Sequence, residues 1–236
     1  MNKPAVVLLG FVVAVGVVSA GGAWYTGKQL EPVLQTAIQD ANKELQRSMA
    51  GVDGSLDLEL VSLERGLFSS TAHYRLKAQG SFFGKQNPNP ELLFVDHIEH
   101  GPLPFSRLVS FKWLPVMATS HSALEKNATS EKWFAAAKDV SPLKGVFNMG
   151  YSRSVNGNLE LLPLEFKDDT SSVSFSGANL DIDSTAEGKK VKAEGYMNSL
   201  KVAVVDANGA PFDVEFAGLT VASNVEKSTF GFYTGQ

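Results

Sequence analysis

VSFSGANLDIDSTAEGKKVKAEGYMNSLKVAVVDANGAPFDVEFAGLTV, residues 173–221, is the stretch that decides the fold. Apolar and polar side chains alternate along it with a period of two, as strands with one buried face require. Turn signals at Glu187-Gly188 and Asn208-Gly209 divide it into successive antiparallel strands. The alternation also changes phase three times. Val173 and Phe175 give way to Leu180 and Ile182, and Val191 and Ala193 to Leu200, Val202 and Val204. Phe212, Val214 and Phe216 give way to Leu219 and Val221. A one-residue slip turns the apolar set to solvent unless a bulge takes up an extra residue. Gly177 and Gly218 stand at two of the three slips. The slips, near residues 178, 198 and 218, lie at similar distances from the turns. Antiparallel pairing therefore predicts three bulges level across the sheet, bending it along one line so that one face forms an apolar groove.

Upstream, Asn156-Gly157 and Asp168-Asp169 read as further turns, with strands from Val146 onward. Between Phe105 and Lys138 the period is helical, and Ser130 is placed to cap a short helix carrying Trp133, Phe134 and Ala137. Leu92–His100 reads as a strand closed by Gly101-Pro102-Leu103-Pro104, and Asn87-Pro88-Asn89-Pro90 as a loop. Leu56, Leu58 and Leu60 form one half-buried strand and Ala72, Tyr74, Leu76 and Ala78 its hairpin partner, with a break at Arg65-Gly66. Thr26–Ser48 carries Leu30, Val33, Leu34, Ala37, Ile38, Ala41 and Leu45 at helical spacing, with Thr26 as N-cap and Pro32 in the early turns.

The N-terminus supplies an address. Ala5–Tyr25 holds no charged side chain, and a helix of that length, at about 1.5 Å per residue, covers the ~30 Å core of a bilayer. Val18-Ser19-Ala20 also fits a signal-peptide cleavage site. The uncleaved anchor is the reading taken, with Trp24 and Tyr25 at headgroup level, the N-terminus in the cytoplasm and the bulk outside. The segments are thus 1–25, membrane anchor; 26–50, amphipathic helix; 51–145, mixed α and β; and 146–236, antiparallel meander. The fold class is α+β: a transmembrane helix and an amphipathic helix, then a predominantly antiparallel meander bent by aligned bulges.

Composition narrows the chemistry. With no cysteine there is no disulfide, thiolate nucleophile or Cys-bearing metal site. A formal charge of −4 without basic runs argues against nucleic acid. Nucleophile elbow, phosphate loop and dinucleotide fingerprint are all lacking. Asp96-His97-Ile98-Glu99-His100 is the strongest metal candidate, but on a strand His97 and Glu99 face away from Asp96 and His100, so no metal is expected. Asn127-Ala128-Thr129 is a glycosylation sequon of a kind common by chance. Glu64–Ser70 offers Arg65 for an anion, yet reads better as a tight connection whose Leu67 and Phe68 plug a core.

Gly21-Gly22-Ala23-Trp24-Tyr25-Thr26-Gly27 with Glu31, then Arg65-Gly66-Leu67-Phe68-Ser69-Ser70, then Glu99-His100-Gly101-Pro102-Leu103-Pro104 occur in that order. Together they resemble the YdgA/YihF family of Gram-negative envelope proteins, whose domain has no known function. The resemblance covers the whole chain. It implies an inner-membrane anchor, a periplasmic body and no catalytic or cofactor residues. It marks Trp24, Tyr25, Arg65, Gly66, Phe68, His100, Gly101 and Pro102 as structural motif positions. Family members are longer, so a C-terminal truncation is expected. The function expected is binding or assembly in the envelope without catalysis, the partner being a second copy or another envelope protein. One alternative is lipid handling on a concave sheet face; another, disfavoured, is an envelope hydrolase with paired acids.

Overall fold

The computed structural model describes residues 30–51, 53–80, 89–167, 171–185, 189–205, 211–227 and 233–235. The expected anchor, Thr26, Trp24, Tyr25 and the turn pairs at 168–169, 187–188 and 208–209 lie outside them. Among the described residues no helix is long and apolar enough to cross a membrane.

Helix α1, Leu30–Ser48, leads into β1 (Ser55–Arg65), β2 (Ser69–Gln79) and β3 (Glu91–His100). A short α2 (Phe105–Val109), β4 (Ala118–Glu125) and α3 (Glu131–Ala136) follow. The remainder is strand: β5 (Leu143–Met149), β6 (Val155–Leu161), β7 (Leu164–Lys167), β8 (Ser171–Phe175), β9 (Ala178–Ser184), β10 (Lys190–Val205), β11 (Pro211–Lys227) and β12 (Tyr233–Gly235). All twelve join one antiparallel sheet in the order β1-β2-β3-β4-β5-β6-β9-β10-β11-β12, with the β7–β8 hairpin added along β10.

Helix α1 lays Leu34, Ile38, Ala41 and Leu45 on Leu56, Leu58, Ala72, Tyr74 and Leu76, the main apolar core. Asn42 fastens it to the sheet. Its Nδ2 donates to the Leu58 carbonyl at 2.9 Å and its Oδ1 accepts from the Leu58 N–H at 2.8 Å. One side chain thereby occupies a backbone position on an edge strand that would otherwise be open to pairing. That contact and the short connection 49–54 make α1 antiparallel to β1, with the helix N-terminus toward the Arg65 end.

The three phase slips lie on one line. Antiparallel register sets Ala178 opposite Met197 and Phe175 opposite Leu200, so Gly177 faces Asn198. Met197 pairs with Leu219 and Ser199 with Ala217, so Asn198 in turn faces Gly218. Gly177 and Gly218 have φ of 86° and 62°, the left-handed backbone that a bulge glycine supplies. A fourth slip, at Leu162-Pro163 between β6 and β7, continues the line, since Leu161 pairs with Ala178 and Leu164 with Phe175. The register is the same on both sides of this line in every pair of strands, with no shift across it.

Three expectations fail for physical reasons. The segment expected to be helical contains β4, a central strand whose Thr119 and Ser120 are buried. Its buried middle is polar and hydrogen-bonded, with buried Ala118 and Leu124 only toward its ends, so hydrophobic periodicity could not find it. Asn156-Gly157 is no turn but lies inside β6, where Gly157 makes room for the Phe147 ring. Ser130 precedes α3 but does not cap it: its Oγ donates to the Glu125 carbonyl at 2.9 Å. The sequon asparagine is likewise committed to the framework, Asn127 Nδ2 donating to the Glu91 carbonyl at 2.8 Å.

Candidate functional site

Two of the motifs that carry the family resemblance meet at one corner of the sheet. Ser69 pairs with Glu99 and Ser70 with Ile98, which sets the β1–β2 turn beside the end of β3. His100 closes the junction. Its N–H donates to the Phe68 carbonyl at 2.8 Å, its Nδ1 lies 3.4 Å from the Leu67 carbonyl, and its Nε2 lies 3.1 Å from Ser70 Oγ. A carbonyl only accepts, so Nδ1 carries the proton and Nε2 accepts from the serine. Gly66 N–H donates to the Ser69 carbonyl at 2.8 Å and tightens the turn. Gly101 is required by space, because a Cβ there would collide with the Val116 and Met117 carbonyl oxygens. The Gly101-Pro102 bond is cis. Arg65 ends β1 at the same corner.

Leu67 and Phe68 do not plug a core. They are 82% and 78% exposed, because the turn projects beyond the end of the sheet, where no described residue covers it. Phe105, Phe111, Trp113 and Leu114, in the excursion between β3 and β4 that starts beside this turn at His100, are exposed as well. That excursion is firmly held. Gly101 N–H donates to Met117 O at 2.6 Å and Val116 N–H to Pro102 O at 2.9 Å, closing its neck. Arg107 reaches Asn148 Oδ1 at 3.0 Å and the Leu114 carbonyl at 3.1 Å. Glu99 Oε2 accepts from the Ser106 N–H at 2.9 Å and from Ser106 Oγ at 2.5 Å.

His121 Nε2 lies 3.2 Å from Ser106 Oγ, so Glu99, Ser106 and His121 form a chain with serine in the middle. The hydroxyl proton is already given to Glu99, so His121 donates and is not placed to activate the serine as a base would. Burial lowers the His121 pKa, partly opposed by the Glu99 charge and reinforced by His97. His97 sits directly across from His121. Asp96 and His100 are buried on the other face of the strand. Among the described residues no group of three or more potential ligands converges on a metal position.

Asp96 is the buried polar centre of the sheet. Its Oδ1 accepts from Ser120 Oγ at 2.6 Å and Ser122 Oγ at 3.1 Å, while Oδ2 has no partner among the described residues. Burial raises its pKa to about 6 against the pull of the two serines. Burial, and then the Asp96 charge, raise that of Tyr74, whose hydroxyl also has no partner among the described residues.

The second surface of interest is the apolar face beyond the line of slips. Register sets Leu164, Phe175, Leu200 and Phe216 side by side, and likewise Phe166, Val173, Val202 and Val214, across β7, β8, β10 and β11. Most are half-buried, while Phe216, Leu219 and Val221 are 47%, 43% and 54% exposed. Of the residues expected on one face, Val173, Val202 and Val214 are paired side by side, as are Phe175 and Phe216, while the Val204 side chain lies outside the description. The fourth slip was legible in the change from Leu159 and Leu161 to Leu164 and Phe166.

The fold and these surfaces define a β-rich protein built on one long antiparallel sheet, without a recognised catalytic constellation among the described residues. The chain belongs to the bacterial family of unknown function DUF945, whose model matches residues 1–236. It is 29% identical to protein YdgA of Escherichia coli K12 over 239 aligned residues, covering 100% of this chain and 46% of YdgA. It is 28% identical to YihF of the same organism, covering 75% of this chain and 39% of YihF. A Haemophilus influenzae Rd protein is also 28% identical, covering 75% of this chain and 47% of that one. The chain thus spans about half the length of the curated relatives it matches, or less. No solved structure matches it.

Proposed function

We propose that this protein is tethered to the inner membrane by residues 5–25 and works in the periplasm by binding, taking a lipid acyl chain along the apolar face of β7–β11. The observation that carries the reading is that face itself. Its valine, leucine and phenylalanine side chains run across the four strands β7, β8, β10 and β11, and among the described residues its outer part has no helix over it. A contiguous apolar face of this kind, half-buried and open at Phe216, is a candidate binding surface. Catalysis is not part of the reading: in the Glu99–Ser106–His121 chain the serine hydroxyl donates to the carboxylate, and Asp96 is sealed inside the sheet.

The test uses the full chain in lipid nanodiscs containing a phospholipid with a photoactivatable acyl chain. Cross-links at Phe175, Phe216 or Leu219, diminished in Phe216→Glu, are the expected result. Cross-links restricted to residues 5–25 overturn the lipid-binding half of the reading. Recovery of the intact chain from the soluble periplasmic fraction overturns the tether.

A further inference from the structure

We propose that the exposed corner formed by the β1–β2 turn and the β3–β4 excursion is a bilayer-seating surface, which inserts Leu67, Phe68, Phe105, Phe111, Trp113 and Leu114 into the interfacial layer of the membrane. The inference rests on the tether half of the reading above and is independent of lipid binding on β7–β11. Three observations converge on it.

The first is the way the side chains are held. They are exposed to solvent yet stand on a braced platform: His100 locks the turn, while Glu99, Arg107 and the paired neck lock the excursion. Phe111 adopts φ of 56°, a costly conformation for a bulky residue, and meets Trp113 edge to face with ring centroids 6.5 Å apart. Rigid presentation of aromatic rings to water is what an insertion surface needs, since little order is lost on entry.

The second is charge. Residues 101–117, GPLPFSRLVSFKWLPVM, contain Arg107 and Lys112 and no acidic residue. Aromatic and aliphatic side chains beside a few cations suit the headgroup region of an anionic leaflet. A turn and a loop excursion offer neither a groove for a helix nor an open edge for a strand, the two usual ways of receiving a protein segment.

The third is position. Helix α1 runs antiparallel to β1, so its N-terminus points toward the Arg65 end, where this corner lies. Only residues 26–29 separate α1 from the charge-free run ending at Tyr25. The corner therefore lies at the end of the sheet where α1 begins, four residues after that run in the sequence. Two attachments, one spanning and one interfacial, would fix the sheet's orientation to the leaflet.

The chain has no cysteine, so single spin labels report unambiguously. Phe68→Cys, Phe111→Cys and, at the far end of β2 about 30 Å away, Gln79→Cys would be labelled in the full chain reconstituted in vesicles of phosphatidylethanolamine and phosphatidylglycerol. Labels at 68 and 111 should be relaxed more by oxygen than by a water-soluble nickel chelate, and the label at 79 the reverse. Nickel accessibility at 68 and 111 equal to that at 79, with the chain still in the vesicles, overturns the seating proposal and leaves the tether intact. Dipolar broadening between labels at 68, relieved by diluting labelled with unlabelled chain, overturns it in favour of a second copy as occupant. A chain that does not enter the vesicles overturns the tether and, with it, this proposal.

Discussion

At the scale of single residues, Asp96 sets the clearest physical expectation. Its pKa of about 6 in the folded protein lies above the 3.8 of an unfolded aspartate, so the folded state holds this proton more tightly. Its contribution to stability is complete below the unfolded value, declines as pH rises between the two, and is gone above the folded value. The shift amounts to about 3 kcal/mol. Asp96→Asn cannot titrate and should flatten that part of the pH–stability curve; urea midpoints of the two proteins at pH 4 and pH 7.5 measure it. His121 works the other way, losing stability as pH falls, but cancels between the two proteins. Phe68→Ala should change stability by less than about 0.5 kcal/mol, as suits an exposed side chain, whereas Gly101→Ala should impair folding through collision with two carbonyls. Thermal melts of both variants would distinguish a projecting tip residue from a packed neck. Leu67 and Phe68 were legible as members of a motif, but their exposure was not. An apolar pair next to a glycine reads the same whether the turn folds inward or projects.

At the scale of elements, two devices hold the sheet. Asn42→Ala removes both hydrogen bonds to Leu58 and leaves part-buried backbone groups on the edge strand, which should cost about 1–3 kcal/mol. Chemical denaturation of the variant would measure it. The line of slips makes a comparative prediction. Gly218→Ala meets only the left-handed backbone penalty, about 1–2 kcal/mol, with open space around the new methyl group. Gly177→Ala meets the same penalty and also places its Cβ 2.8 Å from the Leu161 carbonyl oxygen. Gly177→Ala should therefore be the more destabilising of the two in paired unfolding experiments, and equal effects would place the strain elsewhere than the line. The amphipathic helix, the first hairpin and the strands flanking the slips were readable because their apolar residues follow one period. Strand β4 was not, because Thr119, Ser120 and Ser122 serve its interior with hydroxyl groups in place of apolar surface.

At the scale of the whole molecule, the charge-free run, the exposed corner and the apolar face of β7–β11 give the proposed function its geometry. The lipid cross-linking and spin-label experiments test its parts separately. The sequence by itself determined the family, through three spaced motifs, and the antiparallel class of the fold, through period-two alternation. It also determined the line of slips, since phase and turn spacing are properties of the chain. Only the tertiary structure decided that the Arg65–Ser70 and Glu99–Pro104 motifs meet at one corner, that their apolar residues face water, and that Asp96 is buried with one oxygen unpartnered. The physical reason is that periodicity records which side chains share a face. Which face is covered, and by what, depends on contacts between strands far apart in sequence.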